Sequence, residues 1–312
     1  MSRRHWADLG ETTFVGGTWL LYGVYRALGR LPFRLCLYPV VLVYWLGSGV
    51  ARRASRQYLA RLQAAEQVFA REPGIRESLR HFAVFAETLL DKMLAIGGRY
   101  PRARVAFTGH ELLQASSRAG QGGVIITAHM GCLELMQMAA TWREGLRVTI
   151  LVHTAHAPRF NRILERINPQ ASVRLMQVTD FSPTTAMLLA DRVAAGEFIA
   201  IAGDRVPVRG DRVVQAAFLG HAAPLPAGPY LIASVLRCPV WLLSCLHHGE
   251  GYRADIVSFS ERIVLPRGDR EAGLAEQAAR FAAWMTACLR QSPYDWFNFF
   301  PFWDAPHDRR PA

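Results

Sequence analysis

The chain has 312 residues, 51% of them hydrophobic, and a formal net charge of +11; that length holds one large α/β domain or two smaller ones, and the charge favours an anionic partner. Five cysteines, an odd number with no close C-x-x-C pair, argue against a disulfide scaffold and for a reducing compartment. Charge alone does not choose among nucleic acid, anionic lipid and an acidic protein.

In chain order, the first features are two apolar stretches, Phe14 to Tyr25 (FVGGTWLLYGVY) and Leu35 to Val50 (LCLYPVVLVYWLGSGV). The second carries no charge, lies between Arg34 and Arg52, and is shorter than the ~20 residues of an untilted membrane-spanning helix, with Pro39 inside it. Acidic residues before Gly17 and the late apolar region argue against a cleaved secretory signal. Two readings stand: a pair of buried core helices, or a membrane-embedded or interfacial hairpin edged by Trp19, Tyr22, Tyr44 and Trp45. The flanking arginines Arg30, Arg34, Arg52 and Arg53 and the aromatic content favour the hairpin, lying against an anionic membrane surface. With that choice a lipid surface, and no nucleic acid, becomes the expected anionic partner.

Gln57 to Ala95 has a helical pattern broken near Pro73 and Gly74, with Phe82, Phe85, Leu89, Leu90 and Met93 on its apolar face. Strands are expected at Val105–Phe107, Gly123–Ala128, Arg147–His153, Val173–Val178, Phe198–Ala202 and Val240–Cys245. Helices are expected between them at His110–Ser117, Leu133–Glu144, Arg159–Ile167, Thr184–Ala195 and Gly228–Arg237. Several strands are apolar throughout rather than alternating. The predicted fold is therefore α/β, a single domain with a largely parallel central sheet flanked by helices and an N-terminal hydrophobic helical anchor. Tyr252 to Phe259 is more mixed and suits an edge or antiparallel addition, and Gly268 to Gln291 returns to helix. The expected organisation is a membrane-associated helical region over 1–56, the α/β domain over 57–306 and a polar tail over 307–312.

No G-x-G-x-x-G leads from a strand into a helix, no G-K-[ST] occurs, and no G-x-S-x-G elbow is present, so nucleotide binding and serine hydrolysis have no specific support. His129, His153 and His156 lack the ligand spacing of a structural zinc site. No metal and no cofactor are expected. What stands out is VIITAHMGCLEL, Val124 to Leu135. His129 and Glu134 are five residues apart, about 140° around a helix, so one helix does not present them together. A buried strand to Ala128, a sharp turn at His129–Gly131 and a helix from Cys132 place His129 at a carboxyl strand end, where open α/β sheets build sites, and Glu134 in a first helical turn.

Further polar groups follow successive strands: HTAHAPRFNRIL (His153 to Leu164), AGDRVPVRG (Ala202 to Gly210) and FLGHAAPLPAGP (Phe218 to Pro229). With TAHMGCLE, this ordered set resembles the lysophospholipid acyltransferase superfamily, and within it the lipid A late acyltransferases (lauroyl and myristoyl transferases) of lipopolysaccharide synthesis, over roughly residues 30 to 305. The early HWADLGE and the closing YDWFNFFPFW are similar to relatives associated with aryl polyene or similar fatty acyl biosynthesis. The family's H-x4-D/E motif falls on His129 and Glu134, with Cys132 and Leu133 replacing its usual Asn and Trp. Its arginine-bearing helix falls on Arg159, with Arg162 as a second match. The D-Q segment falls on Asp204 and Arg205, and the F-F-G segment on AFLGHAA with Gly220.

The resemblance implies a histidine–glutamate general-base reaction. His129 takes the proton of an acceptor hydroxyl as it attacks an acyl thioester, while a carboxylate on the other ring nitrogen fixes the tautomer. Oxyanion stabilisation falls to backbone N–H groups around Gly131 or to a nearby arginine. Cys132 as a covalent nucleophile is the weaker reading, because it lies in the apolar turn and reads as filling. Arg159 and Arg162, with Asp204, Arg205 and Gly220, are the implied substrate-binding residues. The implied donor is an acyl carrier protein or coenzyme A thioester, the acceptor is a hydrophobic lipid, and the implied location is the cytoplasmic face of the cell inner membrane. Thioester or lipid hydrolysis, and a nonenzymatic membrane-binding scaffold, are the competing readings.

Overall fold

The computed structural model describes residues 14–136, 146–152, 173–177, 182–206, 212–266 and 268–304. Four helices come first: α1 (Phe14–Leu28), α2 (Arg30–Gly47), α3 (Gly49–Glu66) and α4 (Ile75–Ile96). Pro39 is carried inside α2 without ending it. The α2 residues Phe33, Leu37, Val41 and Trp45 recur every fourth position, and this one stripe is buried in a cluster that includes Phe82, Leu90 and Leu94 of α4. The remaining surface of α2 is also apolar, yet Leu31, Leu35, Leu42, Val43 and Leu46 are exposed. Trp45 is not an exposed edge as expected from sequence; it is buried and donates to Ser78 Oγ at 3.0 Å.

Nine strands follow with α5 to α8 among them: β1 (Val105–Thr108), α5 (His110–Arg118), β2 (Gly123–Thr127), β3 (Val148–Val152), β4 (Val173–Gln177), α6 (Pro183–Ala194), β5 (Phe198–Ala202), β6 (Val213–Phe218), β7 (His221–Pro226), α7 (Gly228–Leu236), β8 (Val240–His248), β9 (Gly251–Ser260) and α8 (Arg270–Gln291), counted among the described residues. Seven strands form one sheet in the order β1-β9-β8-β2-β5-β3-β4. From β8 to β4 all neighbours are parallel. This agrees with the strand runs read from sequence, because β2 and β5 are covered on both faces and have no polar side to alternate with. On β2, Val124 and Ile126 join a cluster with α7 and α8, while Ile125 joins Leu113 of α5 on the opposite face.

β9 is antiparallel to β8, as its mixed sequence suggested, but it is not the edge: β1 pairs parallel on its outer side. The antiparallel hairpin β6–β7 was not expected. Pro224 and Pro226 obscure β7 as a strand, and a two-stranded ribbon tolerates them because each strand has a free edge. The end of the helix expected over Leu133–Glu144, the helix expected at Arg159–Ile167, and His153 and His156 lie outside the described residues.

Candidate active site

β2 and β5 are adjacent and parallel, so the loops leaving their carboxyl ends emerge side by side. Gly203 keeps the two together by donating its N–H to Thr127 O at 2.8 Å. A Cβ on Gly203 would stand 2.9 Å from both Ile126 and Phe281. This close approach sets Asp204 beside His129. One oxygen of Asp204 meets His129 Nδ1 at 2.8 Å, and the other accepts the His129 backbone N–H at 3.0 Å. Trp296 Nε1 donates to that second oxygen at 3.0 Å. A carboxylate on Nδ1 assigns the proton there and leaves Nε2 as the basic nitrogen.

Asp204 is fully buried, which by itself raises a carboxyl pKa. The charge and hydrogen bond of His129, the Arg205 guanidinium and the Trp296 donor outweigh burial and bring it down to about 2. For His129 the balance goes the other way: burial, then Arg205, lowers the imidazole below its ordinary value despite Asp204. Its side chain still keeps 40% of its exposure, so withdrawal of water by protein on its other sides does not close it to a reactant.

Glu134 does begin a helix, but its carboxylate is engaged elsewhere. Lys92 Nζ of α4 lies 2.9 Å from one oxygen, and the Cys132 thiol faces the other at 3.8 Å. Burial disfavours the Lys92 ammonium, yet Glu134 outweighs this and raises its pKa. The carboxylate orienting the His129 ring is thus that of Asp204. Cys132 is buried, and burial followed by the neighbouring Glu134 charge pushes its thiol well up, against thiolate formation.

The turn between them is fully committed. Gly131 has φ +56°, and a Cβ there would lie 2.0 Å from Cys245 O. Its N–H donates to Asp295 O, that of Cys132 to Cys245 O, and that of Met130 to Ala128 O. These three donors are spent inside the protein. Arg205 donates to Phe297 O at 3.2 Å, and its guanidinium stands 5.8 Å from the Phe300 ring centre.

Sequence reasoning missed the role of the closing YDWFNFFPFW segment. Met130 forms a bridge with Trp296, and Phe297 N–H donates to His129 O at 3.2 Å. Asp295 repeats the geometry of Asp204: it accepts from the His247 backbone N–H at 2.7 Å and meets His247 Nδ1 at 2.5 Å. The signal was Asp295, the single acidic residue within the largely aromatic run Tyr294 to Trp303. Gly220 sits with Leu219 at the β6–β7 reversal, both with positive φ, which accounts for a glycine there. The hairpin reaches the site indirectly, through Phe218 edge-on to Trp296 at 5.2 Å. Arg159 and Arg162 lie outside the described residues.

Compared with known proteins, residues 10–304 match the family model described as bacterial lipid A biosynthesis acyltransferase. No curated protein matches the chain.

Proposed function

The chain belongs to the bacterial lipid A biosynthesis acyltransferases, and from that premise we propose that His129 is the general base of acyl transfer, with Asp204 as its orienting carboxylate. Membership makes the protein a membrane-associated acyltransferase of lipid biosynthesis, joining an acyl donor to a lipid acceptor. The observation that carries the assignment of roles is the bidentate hold of Asp204 on His129.

The acceptor hydroxyl gives its proton to Nε2 as its oxygen bonds to the thioester carbonyl carbon. The carbonyl π pair moves to oxygen, and Arg205 balances the charge there. Collapse restores the carbonyl and breaks the carbon–sulfur bond, and the departing thiolate takes the proton back from the imidazolium. Asp204 stays ionised throughout, as its low pKa requires. No acyl-enzyme is needed, consistent with the raised pKa of Cys132.

Glu134 acts with Lys92 as a positioning pair that fixes the start of the helix following the turn. Arg159 and Arg162 serve the acceptor phosphate or the donor phosphopantetheine, on the strength of the resemblance. The donor is an acyl carrier protein, whose acidity suits the chain's charge of +11. The acceptor is a hydroxyl of a membrane glycolipid, reached at the cytoplasmic face of the inner membrane. Among the described residues no single helix is long and apolar enough to cross a membrane; α2 and α3 pass only as a pair bent by 96°. The exposed leucines and valines of α2 support a face that lies in the interface.

The test is His129→Ala in detergent-solubilised protein, supplied with acyl carrier protein thioester and extracted membrane lipid and read by mass spectrometry. Transfer should fall by roughly 10²- to 10⁴-fold while the protein stays folded. Normal transfer by the folded variant refutes the assignment, and rapid release of free fatty acid by the parent protein makes it a hydrolase.

A further inference from the structure

A cavity of about 440 Å³ opens at the α1–α2 turn, away from the residues assigned to catalysis. Its wall brings together Arg26 from the last turn of α1, Arg30 from the first turn of α2, and Arg104 just before β1, with Tyr25, Gly29 and Tyr100 between them. We infer that this cavity binds the phosphate headgroup of an anionic membrane lipid.

Three observations carry the assignment. The first is charge: Asp91 neutralises Arg30 at 2.8 Å, but Arg26 and Arg104 add two cations, and the carboxylate nearest Arg104, Glu250, is 4.0 Å away and almost fully exposed. The second is unmet hydrogen bonding. Gly29 caps α2 without a side-chain bond and the first turn of α2 has no acidic residue, so its N–H groups and positive dipole end favour an anion. Arg30 Nε and the Tyr100 hydroxyl, both within the wall, are buried and lack a hydrogen-bond partner among the described residues. The third selects the source of the phosphate. Leu28 and Leu31, on either side of Gly29 and Arg30, are 66% and 69% exposed, as expected where apolar side chains enter acyl chains and arginine sits at phosphate depth.

The cavity is joined to the catalytic turn by continuous contacts. Asp91 also accepts from Tyr252 OH at 2.9 Å, and the Tyr252 ring lies 4.3 Å from that of His247. His247 is held by Asp295, whose carbonyl takes the Gly131 N–H. A lipid headgroup seated at the turn would thus fix the orientation of the enzyme on the membrane through the same framework that holds its site.

The inference rests on the membrane association proposed above but not on acyl transfer, so its test reads binding alone. Full-length protein is floated with phosphatidylcholine vesicles and with vesicles containing phosphatidylglycerol, and Arg26→Gln/Arg104→Gln is compared with Arg118→Gln/Arg237→Gln, an equal loss of exposed charge elsewhere. The parent should prefer the anionic vesicles. The cavity variant should lose on the order of tenfold of that preference while its binding to phosphatidylcholine is unchanged, and the control variant should keep it. Equal losses in the two variants, or none in the first, overturn the proposal. Inorganic phosphate that, without vesicles, binds the parent as tightly as the anionic vesicles do and fails to bind the cavity variant reassigns the cavity to a soluble anion and overturns the lipid assignment. Parent protein that binds neither vesicle overturns both this proposal and the membrane face, whereas parent protein that prefers anionic vesicles but ignores phosphatidylcholine refutes the apolar face alone.

Discussion

The pairing of His129 with Asp204 makes a signed statement about pH. In the proposed mechanism activity requires neutral Nε2, so the acid limb of the kcat/KM profile should follow the His129 pKa, which burial and Arg205 hold below the ordinary ~6.5. Arg205→Gln removes a cation that disfavours the imidazolium and should move the limb to higher pH. Asp204→Asn removes an anion that favours it and should move the limb lower, with turnover falling by roughly 10²- to 10⁴-fold. Glu134→Gln, two groups removed from the ring through Lys92, should leave the limb in place and lower turnover less. A pH profile for Glu134→Gln displaced as far as that of Asp204→Asn would return the orienting role to Glu134. His129 was legible from sequence because a strand end, a glycine turn and an H-x4-E spacing coincide. Asp204 was recognised as a site residue, but its place on Nδ1 was not, since the two are 75 positions apart and meet only because β5, rather than β3, is the neighbour of β2.

Elements set what surrounds that dyad. Gly131 is needed twice over, by φ +56° and by the Cys245 carbonyl against which a side chain would collide. Gly131→Ala should cost more than the ~1–2 kcal/mol of a left-handed residue, seen as a lowered thermal midpoint and a loss of transfer. In α2 the hydrophobic pattern was plain from sequence, but which apolar residues face inward was not, because nearly every position is apolar and the stripe has no polar border. The packing of α4 decides it. Leu42 and Val43 are exposed, so Leu42→Lys/Val43→Lys should leave the thermal midpoint nearly unchanged. Each lost apolar contact with lipid is worth on the order of 1 kcal/mol, and vesicle binding should weaken by roughly tenfold or more. Unchanged binding would separate this face from the membrane. Three of the four arginines expected to flank it have partners within the protein: Arg30 and Arg34 pair with Asp91 and Glu87, and Arg52 lies over the Trp45 ring at 4.9 Å.

For the whole molecule, His81 and Asp204 are among the buried groups that set how acid unfolds it. His81 is fully buried between α3 and the closing segment, bonded to Ser55 Oγ and Trp296 O, and burial lowers its pKa to about 4. The unfolded chain binds a proton at ~6.5 that the folded one refuses, so stability is complete above that value and declines as pH falls toward 4. Asp204 adds a second decline as pH falls from its ordinary value of 3.8 through about 2. Denaturant midpoints measured at successive pH values should therefore fall in two steps, and His81→Gln should shrink the upper one to the share that the lowered His129 contributes. Loss of a single step near the ordinary carboxylate range would contradict this order. The parallel sheet was largely legible because its strands are continuous apolar runs, whereas the strand order was not, since adjacency is decided by helices crossing between strands.

The bridge between Met130 and Trp296 has a consequence for biosynthesis. The turn that carries His129 leaves the ribosome long before its partner segment, and the Trp296 donor to Asp204 arrives later still than β5 itself. During synthesis the nascent chain thus holds its apolar α2 and an incomplete base, so it can reach the bilayer before it can transfer an acyl group. Under the proposed mechanism, activity is deferred to the moment the aromatic run closes over the turn, and a chain stalled upstream of Asp295 should lack transfer activity.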